Sequence, residues 1–166
     1  MVASSASMPL HTAVTATLDM AGVTYEVLWQ SQATQSITDT AAARGILPAR
    51  MLKTLLLRDM GNQYALACVP GDRQVDPRRV REQLACRRMT LADADKVRAM
   101  TGYTLGTVAP LGLPRPLPIV FEERIFDHDS VTISSGDPHA GLWVKVTDLV
   151  ALCQPLRAAI CRDDTP

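Results

Sequence analysis

Lys53 lies inside an aliphatic run, Met51-Leu-Lys-Thr-Leu-Leu-Leu57, and its type and setting invite chemistry more than any other residue's. Side chains alternate along a strand, so Lys53 would share a face with Met51, Leu55 and Leu57. An ammonium among such neighbours is costly to bury unless it reaches a cleft or an anion. It can also run its stem over the apolar surface and keep its head in water, and the residues alone favour that reading. A second feature is the segment Thr101-Gly-Tyr-Thr-Leu-Gly-Thr-Val-Ala-Pro-Leu-Gly112. Glycines let backbone N–H groups approach a ligand, and proline fixes the loop's shape. The spacing is neither a Walker loop nor a dinucleotide fingerprint, and taken alone it favours a structural turn. The third feature, Ser134-Ser-Gly-Asp137, reads either as a plain turn or as a glycine-floored pocket with a serine and free amides.

Familiar nucleophiles are missing from the pattern. No serine has the G-x-S-x-G setting, and Asp127-His128-Asp129 reads as a polar loop. Catalysis here would therefore lean on positioning and backbone dipoles. Cys68, Cys86, Cys153 and Cys161 form no C-x-x-C pair, and His11, His128 and His139 are scattered, so a zinc site is not expected. The formal net charge is zero, which argues against DNA binding through an overall basic field. Arg78, Arg79, Arg81, Arg87 and Arg88 nevertheless crowd one stretch. They form either a solvated helix face or a phosphate-contacting patch.

The elements that must position these residues follow from pattern. The chain has 166 residues, 47% of them apolar and 20% charged, suited to one soluble domain with a real core. No run is apolar and long enough to span a membrane, the N-terminus lacks a secretory pattern, and a cytoplasmic location is expected. Helices are expected over Leu10–Met20, from Ser36 to Gly45 with Thr38 or Ser36 as the cap, from Asp76-Pro77 onward, and over Ala92–Met100. A closing helix should be capped by Thr147 or Asp148. Strands are expected over Thr24–Trp29, Met51–Arg58, Gln63–Val69, Ile119–Ile125, Ser130–Ser134 and Leu142–Val146. Met60-Gly61-Asn62 joins two of them as a hairpin, and their unbroken apolar character places them centrally in the sheet. The irregular order of helices and strands argues for a mixed sheet in an α+β domain. Flexible residues 1–9, a domain over 10–155 and a C-terminal tail over 156–166 complete the expected organisation.

In this order the segments resemble the YbaK and prolyl-tRNA-editing family of aminoacyl-tRNA deacylases, which includes the editing domain inserted in bacterial prolyl-tRNA synthetases. Leu52-Lys53-Thr54-Leu55 resembles its K-T-L strand, and Thr101 to Gly112 its T-G-Y-x-x-G-x-x-x-P-L-G loop. Ser135-Gly136 with Gly141-Leu142 resembles its late S-G…G-L segment, and the similarity runs from about Leu10 to Leu152. The resemblance reverses the reading of Lys53. It implies a mixed, largely antiparallel, barrel-like sheet surrounded by helices, and hydrolysis of mischarged tRNA in trans without metal or cofactor. By that analogy Lys53 and Gly106 are catalytic, while Thr54, Thr107, Pro110, Ser135 and Gly136 line the substrate site. Arg78 and Arg79 would touch tRNA, with prolyl-tRNA synthetase as a further partner. The K-T-L form leans toward Cys-tRNA(Pro), with Ala- or Ser-charged tRNA next. A non-catalytic tRNA- or synthetase-associated module of the same fold is the alternative. Two departures fall near the expected pocket: Asp137-Pro-His-Ala140 is one residue longer than the common form, and Trp143 stands where some relatives carry aspartate.

Overall fold

The computed structural model describes residues 9–30 and 36–163; the segment 1–9 expected to be flexible lies, Pro9 apart, outside them. Helix α1 (Ala13–Met20) starts at a reciprocal cap in which Thr12 and Thr15 each accept the other's backbone N–H. Strand β1 is Glu26–Trp29. Helix α2 (Ile37–Arg44) is capped by Ser36, whose hydroxyl accepts from the Asp39 N–H, and stops at Gly45 with φ 71°. Strands β2 (Leu52–Asp59) and β3 (Tyr64–Pro70) form the expected hairpin. Its turn is held by Asp59, whose Oδ1 accepts from the N–H groups of Gly61 and Gln63 at 2.8 Å each. Helix α3 (Pro77–Leu84) begins on the Asp76 cap with Pro77 in its first turn, and α4 (Ala94–Thr101) ends at Gly102.

β5 (Ile119–Glu122), β6 (Ser130–Ser134), β7 (Ala140–Lys145), helix α5 (Val146–Cys153) and β8 (Leu156–Ala158) follow, with the short β4 (Met89–Leu91) ahead of α4. One sheet has the order β1-β7-β6, the other β4-β2-β3-β5-β8. Pairing is antiparallel except for β3 with β5 and β5 with β8. A parallel bridge from Met51 to Thr132 joins the sheets. The result is the mixed, largely antiparallel, barrel-like arrangement with helices around it.

Strand β3 shows why its sequence is apolar throughout. Leu66 and Cys68 enter the larger core, while Ala65, Ala67 and Val69 enter a second cluster on the other face of the sheet. The same alternation puts Leu52 and Leu56 of β2 in the larger core, and Leu55 and Leu57 with the second. Val80, fully buried, pins α3 to that second cluster. Burying such a side chain stabilises the fold by about 1.5–3 kcal/mol.

The structure differs from the pattern-based expectations at four places. β4 was not expected, because only Met89 of its three residues is buried and the basic run around it reads as solvent-facing. The expected strand over Ile119–Ile125 ends at Glu122, and Glu123–Asp127 turns as a 3₁₀ helix. The last helix starts at Val146 without a side-chain cap, so neither Thr147 nor Asp148 caps it; Asp148 instead lies in its first turn. Within the expected tail, residues 156–161 join the sheet and the core. β8 pairs with β5, Ile160 and Cys161 are buried, and Glu122 accepts both of their N–H groups.

Candidate active site

Beside the Met51–Thr132 bridge, residues of β2 and β6 line a cavity of about 510 Å³. That is the size range of small-molecule sites. Lys53, Thr54, Gly106 and Thr107 all line it, together with Arg44 and Asp137. Leu52, Leu55 and Leu56 of β2, Val97 of α4 and Ile133 of β6 give the wall much of its apolar surface. Ser36, Thr40, Thr132 and Ser134 add hydroxyls, and no cysteine or histidine is among its described lining residues.

Lys53 occupies the face of β2 shared with Leu55 and Leu57 and is half-buried. Its Nζ donates to the Arg73 carbonyl at 2.5 Å. Burial lowers its pKa from the ordinary lysine value, and the nearby Cys161 and Asp72 offset part of that. An ammonium has three donors, so a single carbonyl leaves it able to grip a ligand as well. Thr54, on the opposite face of β2, touches the Cys68 sulfur at 3.5 Å. Cys68 is completely buried and desolvation pushes its thiol far up, so it is no nucleophile.

The glycine-rich loop acts as a tyrosine-pinned brace. Tyr103 is buried, and its hydroxyl donates to the Leu111 carbonyl at 2.5 Å. A Cβ at Gly112 would lie 2.6 Å from that hydroxyl and 2.8 Å from the Ala13 backbone, so only glycine fits. A Cβ at Gly136 would press on the Tyr103 ring at 3.2 Å. This clamp presents the turn Thr104–Thr107, closed by a Thr107 N–H to Thr104 carbonyl bond of 2.9 Å, to the cavity. Ser134 ties the turn to β6 by donating to the Thr107 carbonyl at 2.6 Å. Gly106 in that turn has φ 92°, a conformation that demands glycine, and its N–H has no partner among the described residues.

Other expected site residues stand elsewhere. Ser135 is fully buried and outside the cavity lining; its hydroxyl donates to the Ala140 carbonyl at 2.6 Å and accepts from the Asp137 N–H. The Gly136 amide donates to Ser134 Oγ at 3.0 Å, so it is engaged inside the turn. Pro110 is buried, with its carbonyl toward Cys153 Sγ. Arg78 is exposed on α3, while Arg79 is bound to Asp163 at 2.7 Å and to the Cys161 carbonyl. None of these five lines the cavity. Of the two departures, Asp137, Pro138 and Ala140 lie in the cavity wall, whereas Trp143 stacks under Arg50 at 4.9 Å and does not.

Sequence reasoning missed Arg44, and placed Asp137 near the pocket only as part of the lengthened turn, without a role of its own. Each has an ordinary reason to be where it is: a basic residue in a helix's last turn, and an Asp in a turn. One signal pointed toward Arg44. The glycine of Gly141-Leu142 sits beneath its guanidinium, and a Cβ there would overlap Arg44 Nη1.

This fold and cavity define an editing-domain architecture. Residues 31–152 match the family model described as "Aminoacyl-tRNA editing domain", and the chain belongs to that family. It is 40% identical over 68 residues to a proline--tRNA ligase of Moorella thermoacetica, covering 41% of this chain but only 12% of the ligase. It is 24% identical over 112 residues to the "Putative Cys-tRNA(Pro)/Cys-tRNA(Cys) deacylase EbsC" of Enterococcus faecalis, covering 68% of each. The fold matches a solved structure described as "a putative trans-editing enzyme for prolyl tRNA synthetase" with a TM-score of 0.82 and 22% identity, over 93% of this chain and 99% of that one. Among the described residues no helix is long and apolar enough to cross a membrane.

Proposed function

We propose that this chain hydrolyses the ester joining a wrong amino acid to the 3′ end of tRNA, acting in trans, with Cys-tRNA(Pro) as the first candidate and Ala- or Ser-charged tRNA next. The observation that carries this reading is the meeting of Lys53 and the Gly106 turn across one cavity, with an unpartnered amide on the turn. In this reading the Gly106 N–H faces the ester carbonyl and stabilises the charge that develops on its oxygen during attack. Lys53 holds the charged end of the substrate, and Thr54 and Thr107 bound the acyl group. An ester is already activated, so two routes balance once it is oriented. Water held by a ribose hydroxyl attacks the carbonyl and releases the amino acid, or the substrate's cysteinyl thiol displaces the ribose oxygen and water then opens the resulting thiolactone. In both the ribose oxygen leaves and takes up a proton. Arg78, which is exposed, contributes to acceptor-stem binding together with Arg79, and prolyl-tRNA synthetase is the partner that delivers the tRNA.

A deacylation panel of cysteinyl-, alanyl- and seryl-tRNA tests the reading. At least one should be hydrolysed well above the buffer rate. Binding of all three without turnover would instead establish a tRNA-binding module, and neither binding nor turnover would remove tRNA from the account.

A further inference from the structure

We propose that Arg44 is an anion-binding residue of the cavity, and that its anion is the phosphodiester preceding the terminal adenosine of the acylated RNA end. The proposal rests on the deacylase reading for its ligand and on the structure for its site. Arg44 lines the cavity from the last turn of α2 and is half-buried. Its Nε donates to Gln30 Oε1 at 2.7 Å, a neutral partner. No carboxylate among the described residues lies within ion-pair distance of it, although Asp137 stands in the same cavity wall; Asp137 Oδ1 instead accepts the His139 backbone N–H at 2.8 Å.

Other arginines here are provided for differently. Arg79 has Asp163, and Arg50 lies over Trp143 and donates to the Ser130 carbonyl. Arg44 has a seat but no counter-charge. The seat is Gly141, whose missing side chain leaves the place where a Cβ would lie 2.9 Å from Arg44 Cζ. With Nε held by Gln30, the Nη edge is left to present paired N–H donors, a geometry that suits phosphate oxygens. The C-terminal end of α2 offsets part of the charge. Burial still lowers the pKa of Arg44, and no neighbouring charge raises it back. A half-dehydrated cation facing an open cavity gains most from an anion that arrives with the substrate.

Binding of adenosine 5′-monophosphate and of adenosine to the full chain provides the test, with Arg44→Met and Arg44→Lys beside the wild type. Wild type should hold the nucleotide at least tenfold more tightly than the nucleoside. Arg44→Met should erase that preference and Arg44→Lys keep part of it. In turnover, Arg44→Met should raise KM for the mischarged tRNA about tenfold with kcat within twofold. Hydrolysis of a 3′-aminoacyl adenosine without phosphate should fall by a clearly smaller factor than hydrolysis of the mischarged tRNA. Gly141→Ala, which unseats the guanidinium, should reproduce the pattern. Equal preference for nucleotide and nucleoside in the wild type would overturn the proposal. So would an Arg44→Met variant that melts lower yet keeps the preference, or one that loses tRNA and nucleoside esters equally. Should wild type hydrolyse no ester, the deacylase reading fails by itself, while the nucleotide comparison still decides whether Arg44 binds phosphate.

Discussion

Two polar regions of this small domain are built on opposite terms. At the β5 end, Glu122 is almost wholly buried, yet its carboxylate accepts the N–H groups of Arg124, Ile160 and Cys161 at 2.9–3.1 Å. Burial pushes that carboxyl up, and the three backbone donors outweigh it, so the net shift is downward. Across β2, the cavity wall holds Lys53 with one carbonyl, Arg44 with one amide oxygen and Gly106 with an N–H that no described residue accepts. The first region saturates its polar groups and locks the C-terminal segment onto the sheet. The second leaves donors of cavity-lining residues with one partner or none among the described residues. Saturation marks structure, and unspent donor capacity marks the place where a ligand completes the protein.

Substitutions on either side should separate the two roles. The largest effect is expected at Lys53. Lys53→Ala should lower single-turnover release of the amino acid at least a hundredfold, with a melting temperature equal to or above that of wild type. A matching loss of stability would place Lys53 with Glu122 as a structural group. Next comes Glu122→Gln, which should destabilise the fold by about 3 kcal/mol in urea titration, because charge-assisted bonds are lost in a dry site. The sign with pH follows from the lowered carboxyl pKa. The contribution of Glu122 is present above the ordinary value of 4.5 and disappears as pH falls through the folded value. The variant should therefore show a shallower acid limb than wild type.

Gly106→Ala belongs to the cavity side. With φ at 92° and no atom near the new Cβ, the strain is conformational, about 1–2 kcal/mol, and the turn should shift to relieve it. We expect a roughly tenfold slower turnover with KM little changed, measured under single-turnover conditions. The smallest effect is expected from Tyr103→Phe. It removes the bond to the Leu111 carbonyl while keeping the ring against Gly136, and should lower stability by about 1 kcal/mol in the same urea titration.

Much of this was legible from residues alone. Period-two alternation put Lys53 on the face of Leu55 and Leu57, and the apolar β2–β3 pair announced a sheet covered on both sides. Helix boundaries at Gly45, Asp76 and Gly102 followed from caps, whose physics is local, and the structure chose Ser36 over Thr38 as the cap of α2. The roles inside the S-G turn were not legible. Whether Gly136 offers its amide depends on the Ser134 rotamer, and Ser134 also reaches 27 residues back to Thr107. Arg44 was hidden for the same reason, since its seat at Gly141 lies on another element. β8 was not legible because it is three residues long and gains its order from β5 and Glu122, not from its own sequence.

The most direct test is a crystal structure of the full chain with a non-hydrolysable 3′-aminoacylamido adenosine 5′-phosphate. The account predicts the amide carbonyl within hydrogen-bonding distance of the Gly106 N–H, Lys53 Nζ on the ligand, and the cavity lined by β2 and β6 filled. Ligand bound outside that cavity, with Lys53 directed only at the Arg73 carbonyl and the Gly106 amide still empty, would contradict it.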